Sequence, residues 1–152
     1  MGDLYLLLKF LHVTAAAVWI GAVVTSSLLN ARLLRRADGP AFAATAQLGA
    51  TTGKLIGASA ALTLITGGAA MAVADVGFVA WIVWGLAVMV LSMAVGGGLV
   101  RRWFEELMDR VRSAGPGDVR VALLQRRVTA AHAALLVLLL SVFWAMVFKP
   151  TF

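Results

Sequence analysis

Four long apolar runs constrain this chain more than any other feature. They are roughly residues 10–29, 55–74, 78–100 and 128–148, and none contains Asp, Glu, Arg or Lys. Each reaches the roughly 20 residues needed to cross about 30 Å of hydrocarbon. In lipid the backbone must satisfy its own polar groups, so runs of this kind form helices. Composition points the same way. Hydrophobic residues make up 62% of the 152 and charged residues 13%, against roughly 45–50% and about 25% in soluble domains. A globule of that make-up lacks the polar groups to cover its surface. The absence of cysteine removes disulfide scaffolds, thiolate metal sites and cysteine nucleophiles together. The expected fold is all-α: a single four-span membrane domain over residues 1–152, packed as an up-down bundle. The first run is too long for a signal h-region, and Met1-Gly2-Asp3 offers no basic n-region.

Basic residues set the expected orientation. Eleven of the thirteen fall in two connections. Arg32, Arg35, Arg36 and Lys54 separate the first two runs, and Arg101, Arg102, Arg110, Arg112, Arg120, Arg126 and Arg127 separate the last two. Lys9 and Lys149 stand apart, at the other ends. Such residues collect on the cytoplasmic side. The expectation is therefore a multi-pass protein of a bacterial inner membrane, with both termini and the Asp75-Val76-Gly77 turn outside. Its arginine clusters would attract anionic lipid head groups. That accounts for the basic balance without nucleic acid.

The helices are expected to continue past the bilayer as two hairpins. Asp38-Gly39-Pro40 is a helix-start signal. Trp103, Phe104, Leu107, Met108 and Val111 repeat at helical spacing, with Glu105, Glu106, Asp109, Arg110 and Arg112 on the other face. Gly115-Pro116-Gly117 breaks this extension, and Asp118 is placed to cap the next helix. The alternative is that the extensions lie flat at the interface. Three small-residue patterns suit close helix packing: Ala17/Gly21/Thr25, Gly53/Gly57/Ala61 and Ser92/Gly96. The triplet Gly96-Gly97-Gly98 weakens the third span near its inner end, as a hinge or a close-packing site.

Two histidines are the titratable groups inside the runs: His12 in the first and His132 in the fourth. An ionisable residue in a membrane helix is a functional candidate. Neutral imidazole ligates haem iron, copper or zinc, or else it joins helices by a hydrogen bond. His12 is 18 residues from Asn30, about 27 Å at 1.5 Å per residue, and His132 is 5 residues from Arg127, about 7–8 Å by the same rise. The pair should thus differ in depth by about 20 Å and occupy separate layers. In the outer layer Lys9, His12, Ala16 and Trp19 share a helical stripe. Met71 and Met146 lie at similar depth, as do Trp81, Trp84 and Trp144. Histidine with one or two thioethers suits haem or copper. An aromatic belt with methionine as core filler is the plainer account. The inner layer holds His132, Thr129, Ser26, Ser27 and Asn30. Its neighbouring arginines serve either an anion or topology. No nucleophile–base pair, phosphate loop or metalloprotease motif is present, so whether the protein is an enzyme is left open.

Lys9-Phe10-Leu11-His12, followed by Trp19-Ile20-Gly21, resembles the first span of a broad group of bacterial membrane proteins. The group includes the copper-resistance protein D family and the HemJ-type protoporphyrinogen oxidases. The resemblance implies that His12 ligates haem b or a metal such as copper, with Lys9 beside it. HemJ-type oxidases carry a functional lysine in the third span; residues 78–100 have none. The expected function is therefore a membrane haem-b- or metal-binding protein with a redox or electron-transfer role. Its cofactor-contacting residues would be His12, Lys9, Trp19 and His132, and its metal ligands His12, Met71 and Met146. The alternatives are a non-catalytic subunit or scaffold, alone or as a homo-oligomer, and a small-solute transporter.

Overall fold

The computed structural model describes the backbone of residues 2–33, 40–115 and 117–149, and the side chains of 2–29, 47–115 and 117–149. Helix α1 covers Gly2–Leu33 and α2 covers Pro40–Ala74. Helix α3 (Ala80–Ala94) runs without a break through a π-helical segment, Val95–Val100, into α4 (Arg101–Ala114). Helix α5 covers Val119–Phe148. The chain is all-α, and its four long apolar rods pack as a bundle. Each rod is long and apolar enough to cross a membrane: Gly2–Leu29, Gln47–Ala74, Ala80–Ala114 and Val119–Phe148. A 28-residue rod is about 42 Å long at 1.5 Å per residue, so each exceeds the hydrocarbon thickness.

The packing is uneven. Helices α1 and α2 lie together along most of their length, while α5 sits between α1 and α3, and α2 scarcely touches α3. Small side chains explain the intimacy of the first pair. Ala15, Ala16 and Ala22 of α1 and Ser59, Ala60 and Thr63 of α2 are all buried, and residues of that size let membrane helices approach closely. One cluster ties the bundle together: Trp19 and Val23 from α1, Ala60 from α2, Met89 from α3 and Leu139 from α5.

Each turn has a local cause. Asp75 adopts φ 51°, and the Val76 amide donates to the Met71 carbonyl at 3.2 Å, which closes the end of α2. Gly115, at φ 83°, ends α4 in a conformation that glycine takes without strain. Asp118 then caps α5, its carboxylate accepting from the Arg120 amide at 2.7 Å. The α4–α5 hairpin has its own core of Leu107, Met108, Val111, Val121 and Leu124, with Trp103 and Phe104 against it. Arg120 pairs with Glu106 at 2.8 Å across the hairpin. Phe104 packs on α2 at Gly49, where an added Cβ would sit 3.2 Å from its ring. The apolar face of α4 is covered by α5. Asp38, Gly39 and the arginines at 35 and 36 lie outside the described residues, as do the side chains of Asn30 and Arg32.

The small-residue stripes behave differently from expectation. Ser92 and Gly96 do face a neighbour, and a Cβ on Gly96 would lie 3.8 Å from Leu135 Cδ1. Ala17, Gly21 and Thr25 face outward, as do Gly53, Gly57 and Ala61, and an added Cβ on Gly21, Gly53 or Gly57 would meet nothing within 4 Å. The inward faces are instead set by bulk and by hydrogen bonding. Trp19 and Val23 claim the interior of α1, and Ser59, Thr63 and Thr66 that of α2.

Candidate functional site

The α1–α2 seam is lined by hydroxyls that satisfy themselves. Ser59, Thr63 and Thr66 are buried, and each donates to the carbonyl four residues earlier: Leu55 at 2.6 Å, Ser59 at 2.7 Å and Leu62 at 2.7 Å. This arrangement removes the cost of an unpaired hydroxyl in an apolar interior.

His12 enters this seam from α1. Its Nδ1 lies 2.9 Å from the Thr63 carbonyl oxygen. A carbonyl can only accept, so Nδ1 carries the proton in the neutral ring, and the tautomer follows from that partner. The lone pair is then on Nε2, which has no hydrogen-bond partner among the described residues. A backbone carbonyl on one ring nitrogen is the arrangement that fixes the tautomer and orientation of metal-ligating histidines. The ring can lie there because residue 67 is glycine. A Cβ at Gly67 would fall 2.8 Å from Cε1 and 2.9 Å from Nδ1 of His12. Sequence reasoning found His12 but not its two supports. A backbone carbonyl leaves no mark on residue type, and Gly67 is one of fifteen glycines.

The other expected site residues are dispersed. Lys9 is exposed, and its Nζ lies 6.0 Å from the centroid of Tyr5, one turn back on its own helix. Trp19 is 5% exposed and belongs to the central cluster, two turns inward of His12. Met71 is half-buried, one turn beyond Gly67 on α2. Met146 is half-buried on α5, its Cε 4.0 Å from the Cβ position of Gly85 on α3. Among the described residues no three His, Cys, Asp or Glu side chains come together as a metal-binding group. Trp84 donates to Ser141 Oγ at 3.1 Å, and Trp144 lies 5.4 Å from Phe148, ring to ring. Both tryptophans are exposed at one end of the bundle, as an aromatic belt would be.

His132 occupies another place. It is 6% exposed on the α5 face that carries Val128 and Leu135, two residues clustered with Val100. Among the described residues its Nδ1 has no hydrogen-bond partner, nor has Ser92 Oγ on α3. The two histidines stand on opposite sides of the central cluster. His12 is seven residues from Trp19 toward the chain termini, and His132 is seven residues from Leu139 toward the arginine-rich end. Seven residues rise about 10 Å, which sets the histidines about 20 Å apart along the bundle axis. They do not share one ligand. Ser26 and Ser27 are half-buried on α1, the Ser27 hydroxyl donating to the Val23 carbonyl at 2.9 Å, and Thr129 is exposed.

No family model, curated protein or solved structure matches this chain.

Proposed function

We propose that the protein binds haem b within the membrane through His12 as its axial ligand, and that it serves electron transfer or redox sensing. The observation that carries this reading is the 2.9 Å contact of His12 Nδ1 with the Thr63 carbonyl, which leaves the Nε2 lone pair for a ligand. The donor set fits haem better than a bare metal ion. A porphyrin brings four nitrogens of its own, so one imidazole suffices. A zinc site needs about three protein ligands, and copper held by His12, Met71 and Met146 would need residues that stand on three different helices. When bound, haem supplies one-electron chemistry at its iron. The chain's part is to hold the imidazole by Thr63 and Gly67. Lys9 offers a cation one turn outward, and the apolar interior excludes water. His132 does not join this site.

By the positive-inside rule the arginine-rich end is cytoplasmic and His12 lies near the outer face of a bacterial inner membrane. Arg102, Arg126 and Arg127 are exposed at the level where the bundle continues into the hairpin, suited to anionic lipid head groups.

A second reading has one observation in its favour. The His12–Thr63 bond joins α1 to α2 whether or not anything binds Nε2. In that reading the protein is a non-catalytic subunit or scaffold, alone or as a homo-oligomer. Haem titration of the full chain in mild detergent separates the two. The first reading requires a Soret band that saturates at one haem per chain and is lost in His12→Ala. No band in the wild-type protein leaves the second.

A further inference from the structure

Two ion pairs cross the α4–α5 hairpin. Nearest its tip, Arg110 of α4 faces Asp118 at 4.0 Å, and one turn back Glu106 of α4 pairs with Arg120 of α5 at 2.8 Å. The next turn back on α4 brings Arg102, four residues from Glu106 and about 40° round the helix from it. On α5, Arg127 is seven residues beyond Arg120 and returns to within about 20° of its direction. The helical repeat thus carries the ladder on to a pair of arginines. Both stand at one level, because their sequence neighbours Trp103 and Val128 pack in a single cluster with Val100.

This rung lacks its anion. Arg102 and Arg127 are exposed and make no ion pair among the described residues. The neighbouring carboxylates are committed elsewhere: Glu105 to Arg101 at 2.9 Å, and Glu106 to Arg120. Asp109 and Asp118 lie toward the tip. Two guanidiniums at one level repel each other unless an anion stands between them, and the planar fork of arginine matches phosphate oxygens in pairs. The place of the rung says where such a phosphate comes from. Arg102 lies just past the apolar run 78–100, and Arg127 immediately precedes the run 128–148. Head-group phosphates lie at the edge of such runs, and the half-buried Trp103 beside the pair is of a residue type enriched there.

We infer that Arg102 and Arg127 form a bridging site for the phosphate of an anionic phospholipid, which takes the place of the missing carboxylate in the ladder and holds α4 against α5. The inference rests on the lipid reading of the exposed arginines given above and narrows it to one pair. It is independent of haem at His12. Arg126 is the internal control. It has the same charge and nearly the same depth, but it lies about 120° round α5 from Arg120, off the ladder. General attraction to an anionic surface acts on Arg126 and Arg127 alike, whereas a bridging site depends on Arg127 alone of the two.

The test is amide hydrogen exchange of the full chain in phosphatidylcholine vesicles, with and without phosphatidylglycerol. Phosphatidylglycerol should slow exchange across residues 103–124 by about fivefold or more. The slowing should be lost in Arg102→Gln and in Arg127→Gln and kept in Arg126→Gln. Arg102→Glu puts a fixed carboxylate on the rung, so its hairpin should exchange slowly in both kinds of vesicle. No effect of phosphatidylglycerol on the wild-type protein would overturn the inference together with the general lipid reading. Equal loss in Arg126→Gln and Arg127→Gln would overturn the bridging site and leave the general reading standing. A hairpin that still needs phosphatidylglycerol in Arg102→Glu would count against the ladder. Slowing by inorganic phosphate added to phosphatidylcholine vesicles would overturn the assignment to lipid.

Discussion

The α1–α2 seam and the α3–α5 seam each hold a histidine and at least one buried hydroxyl, yet they treat them in opposite ways. On the first, every buried hydroxyl is paired and His12 is tied to a carbonyl. On the second, Ser92 and Nδ1 of His132 are unpaired among the described residues, and the chain continues through the π-helical segment Val95–Val100. The difference shows what each seam can do. A ring held by one nitrogen presents the other in a fixed direction, which is what a ligand to iron requires. One seam pairs its polar side chains, and the other leaves two buried polar atoms unpaired among the described residues.

Five substitutions sharpen or break this contrast. The largest effect is expected from His12→Ala, which should abolish the haem Soret band, while His132→Ala leaves it close to wild type. Equal loss in both would end the distinction between the seams. Gly67→Ala comes next. Its Cβ would stand 2.8 Å from the imidazole, so haem affinity measured by titration should fall about tenfold or more, with overpacking costing about 1–3 kcal/mol in thermal unfolding. Third is Asp118→Ala, which removes the cap of α5. It should destabilise the hairpin by about 1 kcal/mol, read as faster amide exchange at residues 119–121, with no change in haem affinity. The smallest is Gly21→Ala. Nothing lies within 4 Å of the new methyl group, so haem affinity should not change, and the helix should gain about 0.5–1 kcal/mol from the lost glycine freedom. A large loss at Gly21 would show that the outward stripe is covered in the working protein.

Much of the fold was legible because bilayer thickness writes itself into run length. The gaps between charges located all four rods, and Gly115 and Asp118 marked the hairpin from their own chemistry. The direction of the small-residue stripes was not legible. Spacing by four puts Ala17, Gly21 and Thr25 on one face, but which face turns inward depends on Trp19 and on the α2 surface it meets. The histidine layers came from depth arithmetic and agree with the seven-residue offsets about the central cluster. His12 was visible as an ionisable residue in an apolar run. Thr63 was not, since it acts through its backbone, and Gly67 was not, since its role is to lack a side chain. The glycine triplet signalled a weak helix without revealing that the segment would be π-helical.

The central claim is that the α1–α2 seam holds haem through a single imidazole fixed by Thr63. The most direct measurement is the visible spectrum of the haem-titrated full chain in mild detergent, oxidised and then reduced, for wild type and His12→Ala side by side. The account predicts a Soret band saturating at one haem per chain in the wild-type protein and none in His12→Ala. A wild-type protein without that band, or a His12→Ala protein with an unchanged one, would contradict it.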